Sequence, residues 1–94
     1  MTEEEFKPLR AEIDQIDRQI VDLLNQRAQR VLEIGLMKRS RGLPVYSPER
    51  EEEVLTLVKE ANQGKLSDEA VQRLFERIID ESRRLERETH EGDE

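Results

Sequence analysis

The chain has 94 residues, of which 41% are charged and 34% hydrophobic, with a formal net charge of −7. That length predicts a single domain, residues 1–94 with frayed ends at about 1–6 and 88–94, and the acid excess disfavours nucleic acid and anionic membrane as partners. The sequence has no Cys, so disulfides and thiolate chemistry are excluded. A reducing, cytoplasmic setting suits it.

The first apolar series is Leu9, Ile13, Ile16, Ile20, Leu23, Val31 and Ile34. Its steps of three and four residues are the period of a helix. Pro8 is tolerated in a first turn, where backbone N–H groups lack intrahelical partners. Gly42 and Pro44 end the element, so helix 1 spans about 8–41. After the short link GLPVY, Ser47-Pro48 reads as N-cap and first helical residue of a shorter helix 2, about 48–62. Its inward residues are Val54, Leu55, Val58 and Ala61. Asn62-Gln63-Gly64 breaks that helix. Ser67 caps helix 3, with Asp68 and Glu69 at the positive end of its dipole. Val71, Leu74, Phe75, Ile78 and Ile79 face inward. The closing ETHEGDE reads as a frayed acidic tail, in which His90 is a solvated residue without a role. The acidic start MTEEEFK lacks the apolar run of a signal peptide, and no stretch approaches the ~20 apolar residues of a membrane span.

The expected architecture is all-α: a three-helix chain. At ~1.5 Å per residue helix 1 is about 50 Å long, against a radius of gyration near 13 Å for a compact chain of this size. Such a helix overshoots its own domain, and a thin core is often completed by association. Val21, Leu32, Leu36 and Met37 add apolar surface on a second side. These features predict an intertwined homodimer, the alternative being a monomer with an exposed end.

Extending each apolar stripe reaches polar residues. On helix 1 the series 20, 23, 27, 31, 34, 38 includes Arg27 and Lys38. On helix 2 it runs back to Arg50 and Glu51, and on helix 3 forward to Ser82 and Glu86. Each one alone has a plain explanation: a long cation can snorkel, Glu51 can pair with a lysine, and Ser82 is small. Together they are costly, since buried charge costs several kcal/mol unless compensated. They predict a polar pocket between helices that suits an anionic ligand. With no Cys and one tail His, thiol–His catalysis and His-rich metal sites are excluded. No Gly-rich loop precedes a helix, which excludes a P-loop. Glu49, Glu51, Glu52 and Glu53 fall at a helix start, where the dipole favours acids without any metal. The remaining chemistry is orientation and electrostatic stabilisation.

The pattern LR-x2-I-x2-ID-x2-I-x2-LL-x2-R-x7-G-x2-K, from Leu9 to Lys38, resembles the all-helical (AroQ-type) chorismate mutases. So do PVYSPERE at Pro44 to Glu51 and LFERIIDES at Leu74 to Ser82. The resemblance covers about residues 8–87. It implies an intertwined dimer with two shared active sites, and conversion of chorismate to prephenate by an intramolecular Claisen rearrangement on the way to Phe and Tyr. It implies no cofactor, metal or covalent intermediate. Carried over by position, Arg10 reaches across the interface to a substrate carboxylate, and Arg27 binds a carboxylate within its own chain. Lys38 contacts the ether oxygen and a nearby carboxylate, while Arg50 supports the electrostatics. Glu51 accepts from the ring hydroxyl, Ser82 binds a carboxylate, and Glu86 faces the ether oxygen opposite Lys38.

Two positions depart from relatives. Ser47 stands where Asp is common, and it keeps the cap and the backbone N–H that contacts the ring hydroxyl. Glu86 stands where some members have Gln. An ionised carboxylate only accepts hydrogen bonds, so Glu86 must be protonated to help. Burial favours that state and Lys38 opposes it. Two other readings remain: an isochorismate-pyruvate lyase on the same scaffold, disfavoured by Glu51 and the length of the 38–51 connection, and a non-catalytic helical dimer module. A pathway partner enzyme also stays open.

Overall fold

The computed structural model describes residues 2–92, with side chains through Thr89; the tail residue His90 lies outside the described side chains. Three α-helices follow a 3-10 turn at Glu3–Phe6: α1 at Lys7–Ser40, α2 at Pro48–Ala61 and α3 at Asp68–Gly92. No strand occurs among the described residues. The helix starts and stops agree with the expected punctuation to within about a residue, except that α3 continues through Gly92 rather than giving way to a frayed tail near 88. Residues 83–91 are mostly Arg, Glu and Leu, good helix formers with no breaker before Gly92.

The chain divides into two compact units, residues 1–30 and 31–94. The first holds the 3-10 turn and most of α1. Its apolar stripe is exposed throughout, Leu9 at 63% and Ile16 at 52%. Among the described residues of this unit, 2–30, no second α-helix covers it.

The second unit holds the last turns of α1 with α2 and α3. α1 ends in a Schellman motif: Gly42 has φ +69, its N–H donates to the Arg39 carbonyl at 3.1 Å, and Leu43 N–H donates to the Lys38 carbonyl at 2.8 Å. Glycine takes that left-handed conformation without a Cβ penalty. Ser47 caps α2, its Oγ accepting from Arg50 N–H at 3.4 Å, with Pro48 as the first helical residue. Ser67 Oγ accepts from Ala70 N–H at 3.1 Å at the start of α3.

Between these helices Asn62 closes the turn, donating from Nδ2 to the Leu66 carbonyl at 2.8 Å and to Asp68 Oδ1 at 2.9 Å. α2 and α3 form an antiparallel hairpin. Near the turn Lys59 Nζ donates to Gln72 Oε1 at 2.9 Å, and further away Glu51 meets Arg83, so partners advance in opposite directions along the two helices. Ile79 is the buried hydrophobic residue among those described, at 7% exposure. Val54, Leu55, Val58, Val71, Phe75 and Ile78 are half-buried around it. Two expected inward residues are exposed instead, Ala61 at the end of α2 and Leu74 at 55%. A helix stripe is wider than the strip that one neighbouring helix covers, and these residues lie outside that strip.

Candidate active site

In the second unit, three helices bring polar side chains to one place. The turn of α1 carrying Gly35 and Lys38 faces α3 at Glu86: a Cβ built on Gly35 would lie 3.4 Å from Glu86 Oε2. Gly35 is buried, while Lys38, Glu51, Ser82 and Glu86 are half-buried. The Schellman motif holds the backbone of Lys38, and its Nζ donates to the Val45 carbonyl at 3.2 Å. Ser82 Oγ donates to the Ile78 carbonyl at 3.0 Å, one turn back along α3. Ser47, half-buried, is engaged as the α2 cap.

Electrostatics link these groups. Burial pushes the Glu86 carboxyl above the ordinary carboxylate range. The Lys38 ammonium opposes that shift and the Glu51 charge adds to it. Desolvation disfavours the charged form, so the structure holds a carboxyl biased toward its proton beside an ammonium. An ammonium and a carboxyl shifted toward its neutral form thus share one locality, an arrangement suited to negative charge developing on an oxygen.

Three further residues belong to the expected set. Arg50 is exposed and pairs with Glu53 along α2. Arg10 and Arg27 belong to the first unit. Arg10 is exposed, pairs with Glu3 and lies over the Phe6 ring, 5.4 Å from its centroid. Arg27 is half-buried, unlike its exposed neighbours Asn25 and Gln26. A groove along α1 lined by Asp22, Asn25, Gln26, Gln29 and Arg30 shares no residue with the expected set. No cluster of metal-ligating side chains occurs among the described residues, and no helix of the structure is long and apolar enough to cross a membrane.

Two neighbours of the site are absent from the sequence-based set. Arg83 donates to Glu51 twice, Nε to Oε2 at 2.8 Å and Nη2 to Oε1 at 2.5 Å. The same guanidinium lies over the Tyr46 ring, 5.0 Å from its centroid. Arg83 stands one position beyond Ser82, off the apolar stripe. The signal that finds it is hairpin register: once Lys59 is set against Gln72, Glu51 falls opposite the turn that carries Arg83.

Residues 9–87 match the family model for chorismate mutase type II. The chain is 42% identical over 88 residues to a bifunctional chorismate mutase/prephenate dehydratase of Aquifex aeolicus, covering 89% of this chain and spanning about a quarter (24%) of that relative's length. It superposes on the chorismate mutase of Thermus thermophilus (form II) with a TM-score of 0.85 at 40% identity, covering 88% of this chain and 94% of that one. The Helicobacter pylori chorismate mutase in complex with prephenate gives a TM-score of 0.85 at 29% identity, covering 95% and 97% of the two chains.

Proposed function

The chain belongs to the chorismate mutase type II family, and on that premise we propose that it rearranges chorismate to prephenate. The reaction breaks the ether C–O bond and forms a C–C bond within one molecule, and negative charge grows on the ether oxygen as the C–O bond lengthens. In this reading the Lys38 ammonium and the protonated Glu86 carboxyl donate to that oxygen from two sides. Their donation strengthens as the charge develops, which lowers the barrier rather than merely holding the substrate. Glu51 accepts from the ring hydroxyl, Ser82 binds a carboxylate, and Arg50 adds positive potential. No residue forms a covalent bond. The catalytic contribution is orientation plus a preorganised field.

The observation that carries the proposal is the placement of Glu86. Its carboxyl lies against a glycine and is desolvated toward its neutral form beside Lys38. A bundle needing only stability gains nothing from an acid in that seat.

The same proposal includes a homodimer in which a second copy covers the exposed stripe of Leu9, Ile13, Ile16, Ile20 and Leu23, and in which Arg10 reaches the partner's substrate. Its support is the extent of apolar surface on one face of α1, far more continuous than scattered surface residues, together with the family. A pathway partner enzyme also belongs to the proposal, supported by the pairing of chorismate mutase with prephenate dehydratase in the name of the Aquifex relative.

The test is incubation of the purified protein with chorismate at mildly acidic and mildly alkaline pH, with products identified by chromatography. Prephenate, formed faster at the lower pH, is the expected result. Salicylate and pyruvate from isochorismate, with no turnover of chorismate, would assign a lyase instead. No turnover of either compound would leave a non-catalytic helical module.

A further inference from the structure

We propose that Arg83 is a positioning residue that fixes the Glu51 carboxylate for the substrate's ring hydroxyl, an inference that rests on the role given to Glu51 above. Three observations carry it. First, the ion pair is two-pronged: Nε and Nη2 of one planar guanidinium engage both Glu51 oxygens, at 2.8 and 2.5 Å. Two parallel bonds of this kind set the plane of the carboxylate as well as its distance, which a single ammonium contact does not.

Second, the pair is asymmetric. The Glu51 side chain is 23% exposed and that of Arg83 is 46% exposed. The acid is the inner member, and the cation holds it from the solvent side. An ionised carboxylate has about four acceptor positions. The fork occupies two, so two remain for a hydroxyl donor.

Third, Arg83 is itself constrained. Its guanidinium lies 5.0 Å from the Tyr46 ring centroid, within the ~6 Å range of cation–π attraction. Tyr46 immediately precedes the α2 cap Ser47. The contact therefore ties α3 to the connection between α1 and α2, and Glu51 is one turn into the helix that this connection starts. Arg83 thus couples the placement of Glu51 to the segment that carries Val45, the acceptor for Lys38.

The experiment is steady-state kinetics on the full chain with chorismate for Arg83→Met, Arg83→Lys, Glu51→Gln and the Arg83→Met/Glu51→Gln double variant, with thermal melting of each. Arg83→Met is expected to raise KM about tenfold with a much smaller change in kcat, as for loss of an oriented substrate contact. Arg83→Lys restores the charge without the fork and is expected to recover only part of that loss. Glu51→Gln is expected to raise KM as well, and in that background Arg83→Met is expected to add less than about twofold, because coupled residues are not additive. Equal KM effects of Arg83→Met with and without Glu51→Gln would overturn the positioning role while leaving Glu51 in place. Full recovery in Arg83→Lys would reduce Arg83 to a charge and overturn it too. A Glu51→Gln enzyme with unchanged KM would remove the role of Glu51 and the inference with it, with the mutase activity still standing.

Discussion

Gly35 packs against the Glu86 carboxyl: a methyl group at 35 would make an ordinary contact, 3.4 Å from Oε2. A glycine inside a helix costs about 0.5–1 kcal/mol relative to alanine, and Gly35 is well inside α1. The arrangement gives up helix stability where an acid of α3 comes close to the α1 backbone. That acid is the group whose protonation the proposed reaction needs.

Activity is expected to fall as pH rises through the Glu86 titration, because the raised carboxyl loses the proton it donates. The sign for stability is the same. A carboxyl whose folded value is raised contributes stability that is complete below the ordinary carboxylate range and is lost as pH rises through the folded value. Glu86→Gln keeps a permanent donor and removes the titration. Rate–pH profiles of the two proteins check this, and profiles of identical shape would remove Glu86 from the ether oxygen.

Lys38→Ala is expected to lower turnover by roughly 10²–10³, the usual cost of deleting a donor aimed at developing charge. Its bond to the Val45 carbonyl is a single contact at a half-exposed residue, worth about 1 kcal/mol or less. Secondary structure and association state should therefore be retained. Kinetics combined with circular dichroism separate the two effects, and a mild loss in a folded protein would contradict the assignment.

Gly35→Ala separates stability from function. The added methyl is expected to raise the melting temperature by relieving the glycine cost in the helix. It also places a methyl in contact with Oε2, and apolar surface against a carboxyl desolvates it further. The alkaline limb of the rate–pH profile is then expected to move upward. Melting and the pH profile measured on the same preparation test both halves.

Ile16→Lys places a charge in the middle of the exposed stripe of α1. If a second copy covers that stripe, symmetry repeats the change, and each buried apolar side chain lost is worth about 1.5–3 kcal/mol. Sedimentation is expected to show a monomer with little activity, because Arg10 then has no partner site to reach. A dimer of unchanged stability would show that the stripe is not the interface.

The boundaries of the three helices were legible in the sequence because they depend on local chemistry. Gly42 with its positive φ, Ser47 and Ser67 as caps and Pro48 as a first residue each act within a few positions of themselves. The polar seats were legible for a similar reason. A period of 3.6 residues places Arg27, Lys38, Glu51, Ser82 and Glu86 on the same faces as their apolar neighbours, and these five are half-buried, whereas Arg50, expected with them, is exposed. A stripe tells which way a residue points on its own helix.

Pairing across helices was decided only in the tertiary structure. Glu51 was open to any lysine by its position alone, yet it is held by Arg83, 32 residues away and off the stripe. Gly35 read as one term of a motif, and it is the buried residue of α1 against which Glu86 packs. Leu74 and Ala61 carried the inward pattern and are exposed, since one neighbouring helix covers less than a whole apolar face. Periodicity fixes rotation about a helix's own axis. Which residues meet depends also on the axial register and rotation between two helices, and these are set by side-chain packing along their whole contact.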